Sequence, residues 1–265
     1  MDLRMVLIGD VMLGRGVNKV LRQVPPEYVW GDTLDIVREA DYSLINLECA
    51  LTRHPLPWDK TLKAFYFKSD PEPAIATLKA ANITCVCIAN NHTLDFKEKG
   101  LLDTLQTLDK ANICRAGAGR DIAGGRAPAY REVRGFTVGL VAFTDNEPDF
   151  AATSKRPGVN YIPVIPDMPE VAPLLETVEE AGERADIVIV SAHWGPNMRL
   201  RPPREFRTLA HRLIDAGADI FHGHSAHNFQ GIEIYKGKPI FYDTGDFIVT
   251  IAKHSTEGLV YADCF

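Results

Sequence analysis

Three histidines within six residues form the densest group of metal-competent side chains in the sequence. They are His222, His224 and His227. Imidazole is the commonest protein ligand for transition metals, and three rings this close in sequence rarely serve packing alone. The segment therefore predicts part of a metal site, and the sequence leaves open which two of the three histidines bind the ion.

Five further side chains of types found at metal sites follow short apolar runs elsewhere in the chain. If those runs are parallel strands, their carboxyl ends meet at one edge of the sheet, where ligands collect in α/β proteins. Imidazole, carboxylate and amide oxygen together suit zinc, manganese or iron. These residue types predict one or two divalent ions that activate water and bind an oxyanion. The five residues are Asp10, Glu48, Asn91, His92 and His193.

The apolar runs themselves predict an α/β fold with a mixed sheet. Near-continuous runs indicate strands covered on both faces, and they fall at 5–8, 42–45, 83–89, 187–190 and 219–221. Apolar residues at helical spacing alternate with them and predict helices at 71–81, around 101–108, at 171–183 and at 204–216. Arg-Gly and Lys-Gly turns predict antiparallel pairs over 130–143 and 231–242, with a last strand at 259–262. Residues 145–169 predict a long loop or lid within a single domain of residues 1–265.

Composition argues against several classes of protein. A formal net charge of -6 disfavours a nucleic-acid partner, which usually meets a basic face. Five cysteines without a CxxC pair indicate neither a disulfide framework nor a zinc ribbon, so we expect a reducing compartment. No apolar stretch approaches the roughly 20 residues of a membrane span, and the first apolar run is too short for a signal peptide. We therefore expect a cytoplasmic protein with no nucleic-acid or membrane partner, and its oligomeric state stays open.

Seven motifs, in this order along nearly the whole chain, resemble the CapA-like proteins associated with bacterial poly-γ-glutamate capsule. That family shares the calcineurin-like metallophosphoesterase fold, so the resemblance implies an α/β/β/α sandwich with mixed sheets. The motifs are GDVMLGR at 9–15, NLE at 46–48, ANNH at 89–92, HWG at 193–195, GHSAH at 223–227, IEIY at 232–235 and YDTGDF at 242–247.

The resemblance implies a role for each site residue. One ion would be held by Asp10, Glu48 and a histidine of 223–227, and a second by Glu48, Asn91, His193 and another histidine there. His224 and His227 are the preferred pair, which leaves His222 as a supporting neighbour. His92 matches the position of the acid or transition-state stabiliser, although it could instead orient Asn91. Asp95 and Asp246 are candidates to orient histidines, Asp95 as part of the catalytic group with His92.

Two departures affect the first ion. Metallophosphoesterases usually carry a histidine two residues after the first aspartate, and Met12 stands there, a substitution that the CapA-like proteins share. Many relatives also have a histidine where this chain has Ser225, so His224 would take over one position earlier. The resemblance therefore implies a first metal site that is one ligand short, and a single bound ion is an open alternative.

Four basic residues are candidates for binding an anionic small-molecule or peptide substrate, because an arginine fork or a lysine ammonium suits carboxylate and phosphate. Solvated surface charge is the alternative for each of them. They are Arg15, Lys68, Arg199 and Arg201.

Three functions follow from these expectations. The first is a metal-dependent hydrolase of a phosphoester or of a γ-glutamyl or peptide amide, in which His92 protonates the leaving group. The second is a metal-dependent acid–base isomerase that acts at a peptide carbon next to a carbonyl. The third is a non-enzymatic component of poly-γ-glutamate capsule biosynthesis.

Overall fold

The computed structural model describes residues 2–165, 167–251 and 259–262. Within these residues the chain forms α-helices, short 3-10 turns and two large sheets with two small two-stranded ones. The strands are β1 (Met5–Val11), β2 (Tyr42–Leu47), β3 (Ala50–Leu51), β4 (Lys68–Ser69), β5 (Cys85–Cys87), β6 (Cys114–Ala116), β7 (Ala118–Gly119), β8 (Ala129–Val133), β9 (Phe136–Thr144), β10 (Gly158–Val159), β11 (Ile187–His193), β12 (Ile220–His224), β13 (Ile232–Tyr235), β14 (Lys238–Phe241), β15 (Asp246–Ile251) and β16 (Leu259–Ala262). The helices are α1 (Arg15–Leu21), α2 (Leu34–Arg38), α3 (Pro71–Ala80), α4 (Lys97–Ala111), α5 (Ile122–Arg126), α6 (Ala172–Gly182) and α7 (Arg204–Asp215).

Both large sheets are mixed, as the sequence predicts. The first has the strand order β16-β15-β1-β2-β5-β6 and is parallel except for β16 at its edge. The second has the order β13-β14-β12-β11-β9-β8, with antiparallel strands at both edges. The predicted hairpins at 130–143 and 231–242 are β8–β9 and β13–β14, so both are confirmed.

Alternating side chains of the strands divide the core into layers. On β2, Ile45 joins the core that the first sheet shares with α1, α3 and α4, whereas its neighbour Leu44 joins the core between the two sheets. Leu140 and Ile189 of the second sheet meet Leu44 there, and Val190, next to Ile189, packs with α6 and α7 on the far side. The order of layers is helix, sheet, sheet, helix, which confirms the predicted sandwich.

Helix ends follow ordinary capping chemistry. Asp70 precedes α3 in an extended conformation, and Pro71 occupies the first turn, where its missing N–H costs nothing. Helix α4 ends at Asn112, which adopts the left-handed conformation that favours helix termination. Gly217 follows α7 with a positive φ of 116° and allows the chain to turn directly into β12.

The segment predicted as a long loop or lid lies packed against the body of the protein over much of its length. Phe150 is buried and contacts Trp58 edge-on, with 4.8 Å between the ring centroids. Strand β10 pairs with β7. The described part of this loop is therefore held by apolar contacts and a short ladder.

Candidate metal centre

The carboxyl ends of parallel strands from both sheets meet at one edge of the sandwich. Strands β1, β2 and β5 belong to the first sheet, and β11 and β12 to the second. Because β1 and β2 run parallel, as do β11 and β12, their last residues emerge on the same side. The side chains that emerge there are Asp10, Glu48, Asn91, His92, His193 and His224.

Two glycines let the backbone approach closely beside these residues. A Cβ atom at Gly9 would lie 2.0 Å from the carbonyl oxygen of Gly245, and one at Gly223 would lie 2.1 Å from that of Tyr242. Any larger residue would push the strands apart. The glycines of the GDV and GHS motifs therefore set the positions of Asp10 and His224, the next residues along.

The Asp10 carboxylate lies at the centre of the cluster. Its Oδ1 atom accepts a hydrogen bond from Asn46 Nδ2 at 2.7 Å and lies 3.6 Å from His193 Nδ1 and 3.5 Å from His224 Nδ1. Its Oδ2 atom is buried without a hydrogen-bond partner, 3.6 Å from His227 Nδ1. Burial alone would raise the pKa of this carboxyl, but the three neighbouring histidines, His193 foremost, outweigh burial and lower the pKa well below its usual range.

Glu48 and Asn91 also present buried oxygens that no hydrogen bond satisfies. The Oε1 atom of Glu48 lies 3.7 Å from His92 Nε2 and 4.0 Å from His193 Nε2, and neither contact is a hydrogen bond. Burial, reinforced by the carboxylate of Asp10, raises the pKa of Glu48 well above its usual range. The Oδ1 atom of Asn91 is likewise buried without a partner. An unpaired buried oxygen costs about 1–3 kcal/mol, which a bound cation would offset.

Both ring nitrogens of His222 face hydroxyl groups. Its Nδ1 atom lies 3.2 Å from Ser191 Oγ, and its Nε2 atom lies 3.2 Å from Thr244 Oγ1. Burial lowers the pKa of His222 to about 4, so the ring is neutral. With both nitrogens engaged, His222 is placed to support its neighbours.

His224 turns one nitrogen towards the carboxylate of Asp10. Its Nδ1 atom lies 3.1 Å from His193 Nδ1, and its Nε2 atom lies 3.0 Å from Ser191 Oγ. Burial lowers the pKa of His224 well below the usual range. Such a neutral imidazole is the form that binds metal ions.

His227 forms a second group with two carboxylates. Its Nδ1 atom lies 2.7 Å from Asp246 Oδ1. Burial alone would lower the pKa of His227, but Asp246 and Asp10 outweigh burial and raise it to about 9.

Two sets of three residues place their ligand atoms within 4.8 Å of one another among the described residues. One set is Asp10, His193 and His224, and the other is Asp10, His227 and Asp246. Asp10 belongs to both. The mixture of carboxylate and imidazole donors, with unpaired oxygens on Asp10, Glu48 and Asn91, fits a divalent cation.

His92 forms a tight pair with Asp95. Its Nδ1 atom lies 2.5 Å from Asp95 Oδ2, which also accepts a hydrogen bond from the backbone N–H of Phe67 at 2.6 Å. The imidazole stacks on the Phe67 ring with 3.8 Å between centroids. Since Nδ1 is engaged by Asp95, Nε2 is the nitrogen that faces Glu48.

Lys63 belongs to the site, although the residues around it in the sequence do not predict such a role. Its side chain is only 4% exposed, and its ammonium lies 3.2 Å from both Asp95 Oδ1 and Glu147 Oε1. It also donates to the carbonyl oxygen of Asn91 at 2.5 Å. Lys63 stands in a loop without periodicity, and its partners are at least 28 residues away in the sequence.

Asn46 and Asn90 are further residues of the site that had no predicted role. Asn90 Nδ2 donates to Asn46 Oδ1 at 3.0 Å, and Asn46 in turn donates to Asp10. The Oδ1 atom of Asn90 accepts from the backbone N–H of His92 and fixes the turn after β5. Both asparagines lie inside the motifs that carry Glu48 and His92, so these motifs could have identified them as site residues.

The four basic residues predicted to bind substrate lie in different surroundings. Arg15 is exposed, with its guanidinium 5.3 Å from the centroid of Phe65 and 5.8 Å from that of Phe67, the ring on which His92 stacks. Lys68 donates to the carbonyl oxygen of His54 at 2.9 Å and lies over the Phe96 ring. The remaining two are exposed in the loop between β11 and α7: Arg199 and Arg201.

Comparison with known proteins identifies relatives over most of the chain. The family model described as "Bacterial capsule synthesis protein PGA_cap" matches residues 4–250. The "PGA biosynthesis protein CapA" of Bacillus subtilis is 35% identical over 91% of this chain and 62% of its own length. The "Probable polyglutamine synthesis accessory protein" of Mycobacterium tuberculosis is 36% identical over 92% of this chain and 73% of its own length. The chain thus spans about three fifths of the length of the Bacillus relative.

A solved structure confirms the fold. The "Putative 5'-Nucleotidase" of Staphylococcus aureus superposes with a TM-score of 0.55 and 14% identity, over 98% of this chain and 53% of that one. At this identity the likeness concerns the fold alone.

In the part of the chain that the structure describes, none of the helices has the length and apolar character of a membrane span.

Proposed function

Because this chain belongs to the bacterial capsule synthesis protein PGA_cap family, we propose that it is a metal-dependent hydrolase of an anionic substrate in poly-γ-glutamate metabolism. The bond cleaved is a phosphoester or a γ-glutamyl amide. One observation carries the proposal: Asp10, Glu48 and Asn91, at the ends of parallel strands, each keep a buried oxygen without a hydrogen-bond partner, and the neutral imidazole of His224 lies beside Asp10.

The residues at the strand ends divide into ligands for two ions. Asp10, Glu48 and His227 would hold one ion, and Glu48 would also bind the second. A divalent ion of manganese, zinc or iron supplies Lewis acidity and lowers the pKa of water. The remaining ligands of the second ion are Asn91, His193 and His224.

His92 acts as the proton donor to the leaving group. Asp95 holds Nδ1 of the ring at 2.5 Å, so the free Nε2 atom is available to a substrate near Glu48. Stacking on Phe67 fixes the plane of the ring. Lys63 balances the charge of Asp95 and holds the Asn91 backbone, so it positions both groups.

Basic residues near the mouth of the site favour an anionic substrate. Arg15 is exposed, and its guanidinium lies over the Phe65 and Phe67 rings, the second of which stacks on His92. A γ-linked glutamate chain carries one free carboxylate per residue, and a phosphoester is also anionic. Arginine binds either group through paired N–H donors.

The test uses the whole chain stripped of metal by a chelator and then supplied with Mn²⁺, Zn²⁺ or Fe²⁺. The substrates are p-nitrophenyl phosphate and γ-glutamyl-p-nitroanilide. Turnover that needs a metal and disappears in Glu48→Gln supports the proposal. No turnover of either substrate with any of the three ions contradicts it. Deuterium entering a peptide α-carbon without bond cleavage would identify an isomerase in its place.

An accessory role without catalysis is the second candidate. The name of the Mycobacterium tuberculosis relative describes an accessory protein, and this chain spans only about three fifths of the Bacillus subtilis relative. This role predicts binding of poly-γ-glutamate that survives Glu48→Gln unchanged and no turnover by the wild type.

A further inference from the structure

Position 12 leaves the first ion without a histidine, and the structure shows what the methionine there does. Met12 is buried, and its Sδ atom accepts the backbone N–H of Gly14 at 3.1 Å. The thioether is therefore engaged within its own turn. Another donor near Asp10 would have to complete the ligand set.

Asp246 lies where such a donor is needed. It begins β15, which pairs with β1 in parallel, and its register partner is Asp10. Its Oδ1 atom lies 2.7 Å from His227 Nδ1, and ligand atoms of Asp10, His227 and Asp246 all fall within 4.8 Å of one another. The Oδ2 atom of Asp10, buried and without a hydrogen-bond partner, lies 3.6 Å from the same His227 nitrogen.

We propose that Asp246 is a direct ligand of the ion held by Asp10, Glu48 and His227, in place of a histidine at position 12. This inference rests on the proposed function, because it assumes that the centre binds metal. It changes the expected role of Asp246, which the sequence suggests only as a group that orients a histidine.

The consequence is a difference in metal preference between the two halves of the centre. With Asp246, the first ion has three carboxylates and one imidazole. The second has one carboxylate, the Asn91 amide and the imidazoles of His193 and His224. Oxygen-rich sites suit manganese, whereas sites with more imidazole suit zinc. We infer that the first position selects Mn²⁺ over Zn²⁺ more strongly than the second.

The Asp246→Asn variant distinguishes two roles of Asp246: a direct metal ligand, or a group that only orients His227. The side-chain oxygen of asparagine can still accept a hydrogen bond from His227, so the ring keeps its orientation, but the anionic donor is gone. Asp145→Asn is the matched control. The Oδ1 atom of Asp145 accepts the backbone N–H of Gly195 at 2.9 Å, which an amide oxygen can also do, and Asp145 belongs to neither three-residue set.

The experiment titrates Mn²⁺ and Zn²⁺ separately into metal-free whole chain by calorimetry, with thermal unfolding to verify folding. In Asp246→Asn we expect the Mn²⁺ affinity of one site to fall by more than the roughly 10- to 100-fold that loss of a group orienting a ligand costs, with a much smaller change for Zn²⁺. Asp246→Glu, which keeps a carboxylate, should retain Mn²⁺ binding. Asp145→Asn should match the wild type.

Two results overturn this inference and leave the proposed function intact: equal weakening of both ions in Asp246→Asn, which indicates an orienting role, or no weakening of either. A wild-type chain that binds neither ion would instead overturn the proposed function, and this inference with it.

Discussion

The Oε1 atom of Glu48 lies 3.7 Å from Nε2 of His92, and no hydrogen bond satisfies this buried oxygen. The two side chains come from loops after different strands of one sheet, β2 and β5. Their separation leaves the carboxylate open to a cation and the imidazole open to a substrate. In the proposed function, this contact joins the metal centre to the proton donor.

Substitution of His92 shows whether this residue acts in proton transfer or in metal binding. The proposed function gives His92 a proton to donate and no bond to a metal, so His92→Ala should retain its bound ions and lose about 10²- to 10⁴-fold in kcat. Turnover and metal content of the same preparation check this. If the metal content fell together with the activity, His92 would be a group that orients Asn91.

Removing the ammonium of Lys63 should destabilise the protein. Lys63→Met leaves the Oδ1 atom of the buried Asp95 carboxylate without its ammonium partner, and loss of one partner of a buried pair costs about 3–5 kcal/mol. Lys60→Met is the control, because Lys60 is 50% exposed and its bond to Glu98 is worth under about 1 kcal/mol. Denaturant unfolding measures both free energies, and equal losses in the two variants would refute the structural role of Lys63.

Two of the three histidines of 222–227, His222 and His224, should respond differently to substitution. His224→Asn should lower metal affinity, because His224 shares a candidate ligand set with Asp10 and His193. His222→Asn should keep its metal content, because both nitrogens of His222 face the hydroxyls of Ser191 and Thr244. Elemental analysis of the two variants distinguishes them, and loss of metal in His222→Asn alone would reverse the assignment.

Gly223→Ala should be poorly tolerated. The new Cβ would lie 2.1 Å from the carbonyl oxygen of Tyr242 and 2.8 Å from Nε1 of Trp194, so β12 must shift. We expect a loss of more than about 3 kcal/mol in the free energy of unfolding. At Gly182 a Cβ meets nothing within 4 Å, so Gly182→Ala is the control and should be neutral or slightly stabilising. A neutral Gly223→Ala would contradict the close approach.

Much of the fold is predictable because buried strands and amphipathic helices leave local patterns. Apolar runs identify β1, β2, β11 and β12, and Pro71 after Asp70 identifies the start of α3. Strand β5 covers only Cys85–Cys87 of the predicted 83–89, and at its carboxyl end Asn90 accepts the N–H of His92 and starts a turn. Helix α1 escaped prediction because Gly14 precedes it with no side-chain cap.

Most of the site residues that the sequence predicts follow strands. Asp10 and His193 are strand-end residues, so their motifs identify them. Lys63 reaches Asp95 from a loop 32 positions earlier, and no local pattern encodes such a long-range contact. The single domain of 1–265, the anionic substrate and the cytoplasmic location stay predictions.

Metal content tests most directly whether the chain binds two divalent ions and whether Glu48 helps to hold them. Wild-type chain and Glu48→Gln, each reconstituted with Mn²⁺, Zn²⁺ or Fe²⁺ and freed of excess ion, are compared by elemental analysis. We expect two ions per wild-type chain with at least one of these metals, and at most one in Glu48→Gln. A wild type that retains none of the three metals, or a Glu48→Gln variant with undiminished content, would contradict this expectation.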